Sequence, residues 1–151
     1  MNNKELLKIN MSMGMLLMNA HRGMCRRFVQ NAQELGFDIS LDQWMVLGPI
    51  SQEINPTHKF LSEFCLKDKA SITRIIDTLE KRSLVVRVAD QLDQRIKRVV
   101  LTQEGKELFN NIAPIMEKTR KEVKQDISDD EIEAFKQVLV QINVNINSEN
   151  G

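Results

Sequence analysis

Apolar residues keep a helical period along this chain except in one short stretch past its middle. From residue 4 to residue 35 they fall at Leu6, Ile9, Met13, Leu16, Ala20, Met24, Phe28, Ala32 and Leu35, with Gly36 as a stop, so the spacing predicts one long helix. A second stripe, Leu7, Met11, Met15 and Met18, makes its first half apolar on two sides, and such a helix needs two partners. Ser40 and Gln43 form a capping box for a short helix through Leu41, Trp44, Met45, Leu47 and Ile50. Pro49, which has no backbone N–H, is expected to kink or shorten it. Asn55-Pro56-Thr57 opens the next helix, with Pro56 expected in its first turn and Phe60, Leu61, Phe64 and Cys65 on its apolar side.

Asp68 is placed to cap a helix over 69–84, whose buried side is expected to carry Ala70, Ile72, Ile75, Ile76, Leu79 and Leu84. Its opposite side presents Ser71, Thr73, Arg74, Asp77, Lys81 and Arg82. There the period drops to two: Val86 and Val88 alternate with Val85 and Arg87, and Ile96, Val99, Val100 and Leu101 with Lys97 and Arg98. The charged segment 89–95 joins these strands as a hairpin tip. Two short helices followed by a hairpin make a helix-turn-helix with an appended β element. Beyond it Thr102 caps a helix carrying Leu108, Ile112, Ile115, Thr119 and Val123. Ser128 to Glu131 form a second capping box, and Ile132, Phe135, Leu139, Ile142 and Ile146 then follow in the 3-4 spacing of a helix-packing seam. Such ends predict a homodimer; the alternative is that the terminal helices pack only on each other.

Composition narrows the class. The chain of 151 residues fits one folding unit, and 42% hydrophobic with 28% charged residues is globular and helix-rich. The longest uncharged stretch, residues 9–20, is shorter than a membrane span and contains Asn10, Ser12 and Asn19. Without a secretory signal, and with only Cys25 and Cys65, the expectation is a cytoplasmic protein with no membrane partner. The net charge is zero, but nine Lys/Arg stand against five Asp/Glu over 67–98, while the end from Ser128 onward has one Lys against five acids. The basic centre is the surface that a polyanion meets.

Catalytic chemistry finds little support, since there is no Gly-rich phosphate loop and only two histidines, His21 and His58. No cofactor or metal is expected: His21 and Cys25 share a helix face, but zinc needs further ligands and none cluster near them. Cys25, among Arg22, Arg26 and Arg27, is a redox candidate; the plain alternative is an inert thiol. Cys65 is expected in the core.

Ser40-Leu41-Asp42-Gln43-Trp44-Met45-Val46-Leu47, the run from Asp68 to Arg87, Asp93-Gln94-Arg95 and Leu101-Thr102-Gln103-Glu104-Gly105 closely resemble the MarR family of bacterial transcriptional regulators. Where that family commonly has glycine, this chain has Ser83 before the first strand and Leu66 in the turn; where it often has alanine, it has Ser62. The resemblance implies a mainly α fold with a small β wing, a winged helix-turn-helix over 37–106 and a dimerisation region formed by 1–36 and 107–151. It implies a homodimer on a palindromic operator, a repressor released by a small lipophilic or phenolic effector or by oxidants. Lys69, Ser71, Thr73, Arg74 and Asp77 would face the major groove of double-stranded DNA, Arg95 the minor groove and Lys97 a phosphate. Asp93 would pair with Arg95 and hold the tip. The effector pocket would lie near Met18, Arg22, Trp44 and Leu47. A winged-helix adaptor that docks an acidic protein, without binding DNA, is the alternative function.

Overall fold

The computed structural model describes residues 12–52 and 55–148. Six helices and one hairpin follow in the order α1 (Met13–Glu34), α2 (Leu41–Ser51), α3 (His58–Phe64), α4 (Lys69–Lys81), β1 (Val85–Ala89), β2 (Lys97–Leu101), α5 (Gln103–Val123) and α6 (Asp129–Asn147). The expected residues of the first helix before position 12, among them Leu6, Leu7, Ile9 and Met11, lie outside the described residues. No described helix is long and apolar enough to cross a membrane.

Helix ends fall where the sequence places polar caps. Ser40, Thr57, Asp68, Thr102 and Ser128 each accept a backbone N–H three residues on, and the boxes Ser40–Gln43 and Ser128–Glu131 are both closed. Gly36 follows α1 at φ 80°, the left-handed conformation that ends a helix. Ser83 and Leu66 take that conformation too, at φ 58° and 51°, so the positions where glycine would be easy are left-handed with side chains attached.

Four expectations need correction. Pro49 does not shorten α2, which runs two residues past it to Ser51. Proline frees the carbonyl four residues back, here that of Met45, and the Cys65 thiol lies 3.7 Å from this oxygen. Pro56 precedes the α3 cap, Thr57, and its carbonyl accepts the Val99 N–H at 2.9 Å. On α3 only Leu61 is fully buried; Phe60 and Phe64 remain 39% and 55% exposed and stack on each other at 5.9 Å. On α4, Ala70 is likewise exposed.

The core joins all the elements between α1 and α5. Phe28 and Ala32 of α1, Trp44, Val46, Leu47 and Ile50 of α2, Leu61, and Ile72, Ile76 and Leu79 of α4 meet Val85, Val99, Leu101, Ile112, Ile115 and Met116. Trp44 stacks on Phe109 with centroids 4.5 Å apart and planes 8° from parallel. The strands pair antiparallel with Val85 opposite Leu101 and Ala89 opposite Lys97. This register turns Val85, Val99 and Leu101 inward and leaves Val86 and Val88 about two-fifths exposed.

Where the hairpin returns to the helices, one residue joins three elements. Thr102 donates its hydroxyl to the Ser83 carbonyl at 2.6 Å, its N–H to Leu84 O at 3.1 Å, and accepts the Gly105 N–H at 3.0 Å. A Cβ on Gly105 would lie 2.0 Å from Leu84 O. The Leu-Thr-x-x-Gly run therefore has a packing cause: only glycine lets α5 start this close to the end of α4.

α6 buries no residue, and Phe135, Val138, Val140, Val144 and Ile146 are at least half exposed. Met13, Met15, Leu16, Met18 and Met24 of α1 are also open. Packing of the two ends on each other, the intramolecular alternative, does not occur among the described residues to the extent of burying the seam of α6.

Candidate nucleic-acid interface

The reading helix begins at Asp68, whose Oδ1 accepts the Ser71 N–H at 2.8 Å and whose Oδ2 accepts the Ser71 hydroxyl at 2.6 Å. These bonds hold the Asp68 carboxyl below the usual carboxylate range. The Ser71 oxygen, a candidate for base reading, is thus engaged in the cap and also accepts Arg74 Nη2 at 3.3 Å. Thr73 is exposed, with its hydroxyl donated to Lys69 O at 2.9 Å. Lys69 and Arg74 are exposed on the same turn-and-a-half of helix.

Asp77 has a different setting from the one the sequence implied. Its Oδ1 accepts Arg87 Nη2 at 2.5 Å, and a second Arg87 nitrogen reaches Glu80. The Arg87 backbone N–H also donates to Glu80 Oε1 at 3.2 Å, and Arg87 Nε lies 3.2 Å from His58 Nε2. Burial, then the neighbouring Arg87 cation, pushes the His58 imidazole below its ordinary value. Arg87 sits at the inward parity of β1 beside Val99. A cation at a core-facing strand position is the signal that could have found this cluster; its partners, far away in sequence, left no local trace.

The wing tip is built by a residue that the sequence reading passed over. Asp90, nearly buried, accepts the Leu92 and Asp93 N–H groups at 2.8 and 3.1 Å and pairs with the Arg98 guanidinium. The Arg98 pair and then these N–H bonds lower its pKa. Asp93 does shape the tip, but through the Arg95 backbone N–H, 2.9 Å from its Oδ1, with no ion pair to the Arg95 side chain among the described residues. Arg98 also donates to Asn55 O at 3.0 Å, which ties the wing to the approach to α3.

Apart from Lys81, exposed at the far end of α4, two groups stand out among the cations of the winged region. Arg82, bonded to Asp38 O at 2.7 Å, and Arg87, Arg98 and Lys67, each paired with a carboxylate, are engaged in the fold. Lys69, Arg95 and Lys97 have no carboxylate partner among the described residues and are exposed. These three, with Arg74, surround the start of the reading helix and the wing, an arrangement able to meet phosphates and groove edges.

The expected effector residues are dispersed. Leu47 is fully buried, Met18 and Arg22 are exposed on α1, and Trp44 lines a cleft of about 670 Å³ with Met45, Phe64, Phe109 and Arg120. Cys25 Sγ lies 3.6 Å from His21 Nε2, the shared face that the spacing implied. Of the flanking arginines, Arg26 lines a separate cleft with His21 and Cys25, whereas Arg27 grips Glu122 with two bonds of 2.7 and 3.0 Å. Cys65 is only partly buried, and burial raises its thiol pKa.

Comparison with known proteins places this geometry. The chain is similar to S. aureus MepR in a DNA complex, with a TM-score of 0.81 and 20% identity over 90% of this chain and 99% of that one. It is similar to a mutant MarR from E. coli complexed with operator DNA, with 0.78 and 22% over 85% and 91%. For BpsR of Bordetella bronchiseptica, whose DNA binding is regulated by 6-hydroxynicotinic acid, the values are 0.79 and 20% over 89% and 95%. The model of the MarR family matches residues 39–97, the stretch from α2 to the first residue of β2. Residues 39–97 of this chain thus match the MarR family, and the chain as a whole has the winged-helix fold of these solved structures.

Proposed function

We propose that this protein is a homodimeric, sequence-specific repressor that binds a palindromic operator and releases it on binding a small lipophilic or phenolic effector. The observation that carries the reading is the separation of cations: the arginines that could disturb the winged region are engaged, and Lys69, Arg74, Arg95 and Lys97 are left outward around one helix start and one wing. Lys69 and Arg74 face the major groove with the positive end of the α4 dipole behind them. Thr73 offers its methyl group and the free lone pair of its oxygen there. Ser71 acts mainly through the cap, and Asp77 acts behind the surface through Arg87. Arg95 enters the adjacent minor groove, where negative potential is concentrated, and Lys97 meets a flanking phosphate.

Pairing follows from the unburied apolar seam of α6 and the open methionines of α1, which a second copy covers. Two copies then place their reading helices in successive major grooves about 34 Å apart. The effector site is assigned to the Trp44–Phe109 cleft, whose aromatic walls suit a flat apolar ring and whose Arg120 suits an anionic group. The like-folded BpsR, with its aromatic acid effector, supports a ligand of this kind.

Arg95→Ala tests the reading. It is expected to weaken binding to a duplex enriched from a random-sequence library by roughly tenfold or more, with fold and dimer mass unchanged. Full-strength binding by the folded variant, measured by fluorescence anisotropy, would refute the minor-groove role; failure of the wild type to enrich any duplex would refute the DNA reading.

A further inference from the structure

The hairpin is a two-stranded ribbon, a structure with little stability of its own, so its angle to the reading helix must be set by what grips its base. α3 is gripped through the backbone: Pro56 O accepts the Val99 N–H at 2.9 Å, and Thr57 bridges to Arg98. α4 meets β1 through the turn at Ser83, through the core packing of Val85 and through one polar side chain, Arg87. That guanidinium reaches Asp77 and Glu80, one helical turn apart on α4, and places Nε 3.2 Å from His58 on α3. It is 22% exposed, and a planar fork with fixed donor directions holds two carboxylates in one geometry as an ammonium does not. Partly exposed ion pairs add little net stability, so the worth of this cluster lies in its geometry.

We propose that Arg87 is a positioning residue for DNA binding, which holds the reading helix and the wing at one angle, and that His58 makes this hold proton-sensitive. The inference rests on the DNA-binding reading given above. His58 accepts the Arg87 Nε–H only as neutral imidazole with Nε2 bare; once protonated, both nitrogens carry hydrogen and the bond is replaced by two facing cations. The groups around His58 are Arg87 on β1 and Asp77 and Glu80 on α4. The new imidazolium therefore competes with Arg87 for the carboxylates that hold it. Burial and Arg87 keep His58 neutral at pH 7, and acid is needed to loosen the hold.

The test uses the full-length dimer and a duplex enriched from a random-sequence library by the wild-type protein. Wild-type affinity is expected to fall about tenfold between about pH 7.5 and about pH 5, the change linked to one unit of pKa difference between free and bound protein. His58→Gln, which keeps an amide in place of the ring, should be flat over that range within about threefold, and His21→Gln should follow the wild type. Arg87→Gln should bind at least tenfold more weakly at pH 7.5, and Arg87→Lys should not restore binding. Four results would overturn the proposal: a His58→Gln profile that follows the wild type, an affinity that rises on acidification, full binding by folded Arg87→Gln, or full rescue by Arg87→Lys. If Arg87→Gln does not fold, the His58→Gln profile decides alone. If the wild type enriches no duplex, the DNA reading itself fails and the positioning role falls with it.

Discussion

The winged region and the terminal helices contain similar apolar stripes and use them in opposite ways. In the winged region Ile72, Ile76, Leu79, Val85 and Val99 are sealed from solvent by neighbours in the same chain. On α6 the stripe is as regular, yet Phe135, Val138 and Val144 are about half open. One stripe is completed by its own chain; the other is left open, and in the proposed dimer a second copy covers it. Damage to the first should therefore lower stability at any protein concentration, whereas damage to the second should appear as altered association.

Gly105→Ala gives the largest expected effect. Its Cβ meets the Leu84 carbonyl, which is backbone and cannot swing away. A loss of about 3 kcal/mol, or roughly 8 °C in thermal midpoint, is expected at every protein concentration. A midpoint within about 2 °C of wild type would show that the α4–α5 joint is looser than its geometry.

Phe135→Lys combined with Val144→Lys is the counterpart on the open stripe. Sedimentation is expected to show a dimer for the wild type and a monomer for the double variant, with association weakened at least about a hundredfold, roughly 3 kcal/mol. The unfolding midpoint, expected to depend on concentration in a dimeric wild type, should lose that dependence. A double variant that remains fully dimeric would assign the interface to α1 alone.

Glu122→Gln probes the boundary, because Arg27 and Asn31 of α1 both bind Glu122 of α5. These bonds, that of Arg27 foremost, hold its carboxyl down to about 2 from an ordinary 4.5. The folded pKa lies below the unfolded one, so its contribution is fully present above pH 4.5 and is lost as pH falls toward 2. The variant should unfold more readily than wild type at neutral pH, and the two should converge in acid. A constant gap over that range would contradict the assignment.

The smallest effect should come from relieving the two left-handed positions. Leu66→Gly and Ser83→Gly remove side chains held at φ 51° and 58°, and each should add about 1 kcal/mol of stability, read from chemical denaturation. Loss of stability in either would mean that its side chain makes up for the strain.

Which parts were readable from sequence follows from distance along the chain. Caps at Ser40, Thr57, Asp68, Thr102 and Ser128 are local, because donor and acceptor lie three residues apart, and each stands where the residue types place it. Periodicity showed that Phe60 and Phe64 share a face with Leu61 but not which flank of that face has something to pack on. The DNA-facing list was read from one side of α4, and Asp77 lies on its edge; whether an edge residue faces solvent or a partner depends on Arg87, ten residues on. In the wing the Asp-x-Arg pattern drew attention to Asp93, while Asp90 does more of the holding because Arg98 returns beside it across the strand pair.

Thr102 gives the fold a mechanical property. A single hydroxyl is bonded to the turn beyond α4 and to the first turn of α5, and sits on the residue that directly follows β2. α5 is thus keyed at one end, and if α4 and the wing bind DNA as proposed, a twist along its 21 residues would reach both at that key. A ligand wedged against Phe109 or Arg120 needs no separate route to the helix and to the wing.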